Sequence, residues 1–238
     1  MTGDNLLIEI TGVTKDYHGL RPLRVEHLQI GAGESVALLG VDAAMAEVLV
    51  SLITGAQLPD EGEVRLFGRP TKSITGVDEW VKELDRFGLI SARAVLVDQF
   101  TTEQNLALPL SLEIEPLPPD IRAQVGQLAS EVGLTNEELG AITAVLSPGA
   151  QLRLRVGRAL ALRPEVLIAE HPNALLPGNE SLRFAADFAR IAAGRAIAAL
   201  VMTADPAFAA VIAKRVLEFQ PATGRLVEKQ SGWRRWFS

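Results

Sequence analysis

Cysteine is absent from the 238 residues, which removes a disulfide framework and any thiolate metal site and fits a reducing cytoplasm. His18 and His27 lie far in sequence from His171, so no zinc site is expected. Long apolar runs are missing too. The most apolar segment, residues 196–202, falls far short of the ~20 residues needed to cross a bilayer. The N-terminal residues show no basic stretch followed by an apolar one, so no signal peptide is expected. There is no basic stripe, and the formal charge of −6 argues against a nucleic-acid surface. Internal repeats and low-complexity linkers are likewise absent.

What is present is ordinary for a globular chain: 48 % apolar and 22 % charged residues, enough for one large core or a core carrying an insertion. Strands are expected at 6–10, 24–30, 35–39 and 63–67, with turns at 31–34 and 59–62. Met45, Val48, Leu49, Leu52 and Ile53 share one face of a helix over 42–54. From 91 to 145 helical patterns dominate, at 103–112, 119–132 and 136–142, with Asp120 and Asn136 placed to help cap the last two. Helices at 151–162, 180–193 and 206–213 then alternate with strands at 165–169, 196–202, 216–219 and 225–228. Such alternation argues for a mainly parallel sheet covered by helices.

Several stretches occur in an order that resembles the ATP-binding domain of ABC transporters over approximately residues 6–228. Gly33-Glu34-Ser35-Val36-Ala37-Leu38-Leu39-Gly40 resembles the strand that feeds the phosphate loop. Leu52-Ile53-Thr54-Gly55 and Pro59-Asp60-Glu61-Gly62 resemble the segment after it. Leu146-Ser147-Pro148-Gly149, then Arg158-Ala159-Leu160 and Pro164-Glu165-Val166-Leu167-Ile168, resemble the signature motif, its helix and the Walker B strand. Asn105-Leu106-Ala107-Leu108-Pro109-Leu110 resembles the insertion of lipid- and lipoprotein-export members. The resemblance implies an α/β, P-loop NTPase-like (RecA-like) fold with a mainly parallel sheet and an N-terminal antiparallel part. It divides the chain into a core of 1–90 and 146–230, a helical insertion of 91–145 and a basic-aromatic tail of 231–238.

The catalytic positions depart from that family. A P-loop needs glycines so that backbone N–H groups can cradle phosphates, a lysine to neutralise charge, and a hydroxyl to hold Mg²⁺. Of these only Gly40 remains; Met45 replaces a glycine, Ala46 the lysine and Glu47 the hydroxyl. Asp42 and Glu47 would place carboxylates at a helix N-terminus where a phosphate would sit. Like charges ~4 Å apart repel by about 4 kcal/mol at an effective dielectric of ~20. Their plainer reading is a pair of solvated acids in the first turn. By position, Glu170 replaces the Walker B aspartate, His171 the general-base glutamate, Pro177 the D-loop aspartate, Ala204 the switch histidine and Ala92 the Q-loop glutamine. Gln99 lies too near Asn105 to substitute for that glutamine. His171 is expected to be packed or hydrogen-bonded rather than a base, since phosphoryl transfer would lack positioned charge.

Other features keep two readings each. Tyr17 stands where the family stacks an aromatic on adenine, and reads equally as a partly exposed aromatic at a strand end. Ser147 and Gly149 could meet a nucleotide bound to a partner subunit, or Ser147 could simply cap its helix. Arg153, Arg155, Arg158 and Arg163 are expected as a solvated face with local ion pairs. The tail, with Trp233, Arg234, Arg235, Trp236 and Phe237, suits a membrane interface, a partner groove or a free end.

The leading expectation is an ABC-type subunit that has lost its own ATP chemistry. It would require no cofactor, with at most weak ATP and Mg²⁺ binding in its own site. Its partners would be a membrane-spanning transporter subunit and a second ATPase subunit, as homodimer or heterodimer. It would sit in the cytoplasm, peripheral to the membrane. Two rivals stay open: slow residual hydrolysis around Tyr17, Glu170 and His171, and a regulatory or scaffolding protein without a transporter.

Overall fold

The computed structural model describes residues 6–229, so the tail expected at 231–238 lies outside the described residues. Alternating burial makes Leu6–Lys15 (β1) and Leu23–Gly31 (β2) half-buried strands. β1 runs further than its apolar run suggests. Gly12 takes a φ of +59° and the register shifts between Thr11 and Thr14, so the turn-forming residues are absorbed as a bulge. Ser35–Leu39 (β3) is followed by Ala43–Ile53 (α1), whose N-cap is Asp42. Glu61–Leu66 (β4) starts two residues before the expected strand, because Gly62, at φ +81°, lies on the Gly12 backbone where a Cβ would collide.

Arg69–Pro70 (β5), Val77–Leu84 (α2) and Phe87–Ile90 (β6) fill a stretch that the sequence left unassigned. Val77, Trp80, Val81 and Leu84 form an apolar stripe at helical spacing along α2, which the sequence reading passed over, and none of its residues is fully buried. Thr102–Ala107 (α3) is shorter than expected and gives way to turns before Pro109, which has no N–H to continue a helix. Pro119–Val132 (α4) has the expected bounds, and Asn136–Gly140 (α5) stops two residues short. Neither expected cap holds. Asp120 lies inside the first turn of α4 behind Pro118, and Asn136 is already helical. Thr135 caps α5 instead, in a reciprocal pair with Glu138.

Pro148–Leu160 (α6), Val166–Glu170 (β7), Gly178–Gly194 (α7), Ala198–Met202 (β8), Pro206–Ile212 (α8), Arg215–Gln220 (β9) and Arg225–Glu228 (β10) complete the chain, each within a few residues of expectation. The strands form a four-stranded antiparallel sheet, β2-β1-β4-β5, and a six-stranded sheet, β10-β9-β3-β8-β7-β6. In the larger sheet every pairing is parallel except that of β10 with β9. The expected mainly parallel α/β architecture with an antiparallel N-terminal part is therefore present.

The period of two along β3, β7 and β8 divides the interior. Val36, Leu38, Val166, Ile168, Leu200 and Met202 face a core shared with α1 and the antiparallel sheet. Ala37, Leu39, Leu167, Ala169, Ala199 and Val201 face a second core shared with α3, α4 and α6 to α8. Phe184 and Phe208 stack there at 6.4 Å between ring centroids. Helices α3 to α5 lie between β6 and α6 in sequence. Their anchor is Asn105, fully buried: its Oδ1 accepts from Val97 N and its Nδ2 donates to Val97 O, all at 2.9 Å, and to Thr143 Oγ1. Loops at the carboxyl ends of β3, β6, β7 and β8 thus converge on one edge, where ligands bind in open α/β sheets.

Candidate functional site

At that edge β3 ends in Gly40, whose φ of +81° turns the chain into α1; a Cβ there would come 2.9 Å from the Phe219 carbonyl oxygen. The next residues do not form an open cradle. Asp42 caps α1, its Oδ1 accepting from the Met45 N–H at 2.8 Å, so a carboxylate already takes a backbone donor of the kind a phosphate needs. Ala46, at the lysine position, is fully buried in the core, and Met45 packs partly against the same core.

Glu47 departs from expectation. It sits beyond the first turn, on the fifth residue of α1, and contributes nothing to the N-terminus. Instead it forms an ion pair with Arg93, Oε1 to Nη1 2.8 Å. Arg93 also reaches Glu170 at the end of β7, its Nη2 donating to Oε1 at 2.5 Å. Ser91 Oγ donates to the other oxygen of Glu170 at 3.3 Å and accepts from the Arg93 N–H at 3.1 Å. The Glu170 side chain is only 11 % exposed, against 47 % for Arg93 and 55 % for Glu47. Sequence reasoning placed the Q-loop position on Ala92, which is exposed and bears no polar group, and passed over its neighbour. A signal was available: two acids expected near one another call for a cation, and Arg93 adjoins the position already singled out.

His171 follows Glu170 with a φ of +44°, its N–H donating to Met202 O at 2.9 Å. The ring is packed, but its buried Nε2 has no hydrogen-bond partner among the described residues. Ala204 is exposed just after β8. The polar contact at this edge comes from its neighbour, Thr203, whose hydroxyl donates to Asn173 Oδ1 at 2.9 Å. Pro177 occupies the N-cap position of α7 and offers no side-chain cap. Gln99 is exposed in a turn, away from the Arg93 cluster in sequence and contact. Tyr17 is half-buried against the N-terminal core, its ring folded over Gly19 so that a Cβ at 19 would lie 2.6 Å from it. Among the described residues no cluster of three or more His, Asp or Glu side chains could hold a metal.

The signature segment is arranged differently. Ser147 is the N-cap of α6, its Oγ accepting from the Ala150 N–H at 3.2 Å. Gly149 is buried, and the carboxylate of Glu180 lies where a Cβ at 149 would stand. The arginines that follow are not a solvated face throughout. Arg153 does pair with Asp187 at 3.0 Å, but Arg155 and Arg158 are half-buried. Burial holds both guanidinium groups below their ordinary proton affinity; Asp98 opposes the effect at Arg155, and the charge of Arg155 adds to it at Arg158. Arg158 donates to the Val95 carbonyl at 2.7 Å. These arginines line an open groove of about 260 Å³, together with Phe87, Leu89, Leu96 and Pro109.

Comparison with known proteins gives the same answer at several levels. A family model described as ABC transporter matches residues 23–174. The methionine import ATP-binding protein MetN of Clostridium acetobutylicum is 32 % identical over 176 residues, 73 % of this chain and 53 % of its own. The lipoprotein-releasing system ATP-binding protein LolD of Psychrobacter arcticus is 26 % identical over 190 residues, 80 % of this chain and 84 % of its own. The chain thus spans about half the length of the MetN relative and most of the LolD one. In fold it is similar to cbiO1 from Clostridium perfringens, described as part of the ABC transporter complex cbiONQ, with a TM-score of 0.80 at 20 % identity. That likeness covers 94 % of this chain and 87 % of the other.

Proposed function

The chain belongs to the ABC transporter family, and from that premise we propose that it is an ATP-binding-type subunit whose own nucleotide site is silent. The observation that carries this reading is the start of α1. Asp42 takes the backbone donor, and the position of the charge-neutralising lysine is a buried alanine. A triphosphate approaching this helix meets a carboxylate, and the cation beside it, Arg93, is already paired with Glu47 and Glu170.

Such a subunit works by what it contacts. The groove between β6, α6 and residues 94–96 supports docking on a membrane-spanning transporter subunit. Its apolar wall and two half-buried arginines suit a partner segment that brings both apolar side chains and a carboxylate. No helix among the described residues is long and apolar enough to cross a membrane, so a partner of that kind would hold the chain at the cytoplasmic face. Pairing with a second ATPase subunit is the other contact. Ser147 keeps the neutral hydroxyl at the start of α6, so an intact partner in a mixed dimer would be served better than a second copy of this chain.

Equilibrium binding of ATP to the purified chain, with and without Mg²⁺, tests the reading by calorimetry. The expected result is no detectable heat of binding at millimolar nucleotide. Micromolar binding, or Mg-ATP hydrolysis that disappears in His171→Ala, would overturn it.

A further inference from the structure

The pairing of Glu47, Arg93 and Glu170 has a meaning beyond a missing lysine. In P-loop proteins Mg²⁺ is held by the hydroxyl at the position of Glu47 and the acid at the end of the strand equivalent to β7. Here both positions carry carboxylates, on α1 and at the end of β7. Left alone they would repel, and Glu170, only 11 % exposed, would be poorly hydrated. One guanidinium answers both. Nη1 lies 2.8 Å from Glu47, Nη2 donates to Glu170 at 2.5 Å, and Ser91 takes the remaining Glu170 oxygen. This donor set does not fit Mg-ATP: the oxygens that would face the ion are already engaged, and by a cation that a divalent metal would repel.

We propose that Arg93 is a built-in cation that takes the place of the divalent metal and ties the β6–α3 connection to α1 and β7 without nucleotide. That connection continues into the docking groove. The Val95 carbonyl accepts from Arg158 at 2.7 Å, and both backbone groups of Val97 are held by buried Asn105 at 2.9 Å. A contact that would come and go with Mg-nucleotide is thereby made permanent, and one wall of the groove stays in place. The consequence for docking rests on the silent-site reading; the clamp itself does not.

The test uses the full chain without nucleotide. Mn²⁺ binding is followed by the electron paramagnetic resonance of the free ion, and hydrogen exchange is read over residues 91–97. The wild type is expected to bind Mn²⁺ weakly. Arg93→Ala should bind it at least about tenfold more tightly, lose that gain when Glu47→Gln is added, and exchange faster over 91–97. Arg93→Lys keeps a cation, should gain no Mn²⁺ site, and serves as the folding control. Equal Mn²⁺ uptake by wild type and Arg93→Ala, or unchanged exchange over 91–97, would overturn the proposal. Since ATP is absent throughout, neither result bears on whether the nucleotide site is silent.

Discussion

At the start of α1 an aspartate caps the helix; at the start of α6 a serine does the same work. The two caps are similar in geometry and comparable in what they contribute to stability. They differ in charge, and charge decides what else each helix end can bind. Asp42 makes the α1 end self-sufficient, because its carboxylate both takes a donor and offsets the helix dipole. Ser147 takes a donor but leaves the dipole's field in place. The α6 end does have a carboxylate against it, that of Glu180, but this arrives from α7 on a side chain that can rotate away. On the proposed reading, the α1 end is closed to phosphate from within the helix itself, and the α6 end is only leaned upon. A fold can keep a helix terminus for structure while discarding it for chemistry, and the sign of one side chain separates the two cases.

The sharpest way to break this contrast is to rebuild the α1 end. Asp42→Asn, Met45→Gly, Ala46→Lys and Glu47→Ser, combined with Arg93→Gln, should raise ATP affinity by at least about tenfold, or ~1.4 kcal/mol. A folded variant with no gain by calorimetry would place the block elsewhere. A smaller effect compares the caps directly. Asp42→Ala and Ser147→Ala should each lower unfolding stability by ~1 kcal/mol, and Asp42→Asn by only a few tenths. Denaturant midpoints check this; a large loss in Asp42→Asn would mean that charge and not capping geometry sets the stability of α1. The smallest effect concerns the acid leaning on α6. Glu180→Gln should cost ~0.3–1 kcal/mol at low salt, shrinking as salt rises. An effect independent of salt would make Glu180 a packing residue instead.

Much of the fold could be read before any coordinates. Residues 36–39 and 166–169 are apolar throughout because both faces of the sheet are covered, and Pro119–Val132 announces its start with a proline and its end with Gly133. Val77–Leu84 was passed over although Val77, Trp80, Val81 and Leu84 recur at helical spacing, since the helix is only two turns long, and Phe87–Ile90 because four residues carry too little pattern. The cap of α5 was misplaced by one residue, where Thr135 and Asn136 compete for the same N–H groups, whereas α4 starts behind Pro118 with no side-chain cap at all. At the site, the residue types were legible, whereas their contacts were not. Glu47 looked like a second acid at the helix N-terminus, yet it turns toward Arg93. The arginines after the signature looked solvated, yet two of them are partly buried in a groove wall.

The sequence alone therefore determined the family's fold and which residue types stand along its edge, since order, spacing and residue type are properties of the chain. Only the tertiary structure decided what replaced them. Arg93 and Glu170 are 77 residues apart, and no local pattern links them. They meet because β6 and β7 are parallel neighbours whose carboxyl ends lie side by side, and α1 brings Glu47 to the same edge. An ion pair depends on distance in space, and that distance is set by the sheet.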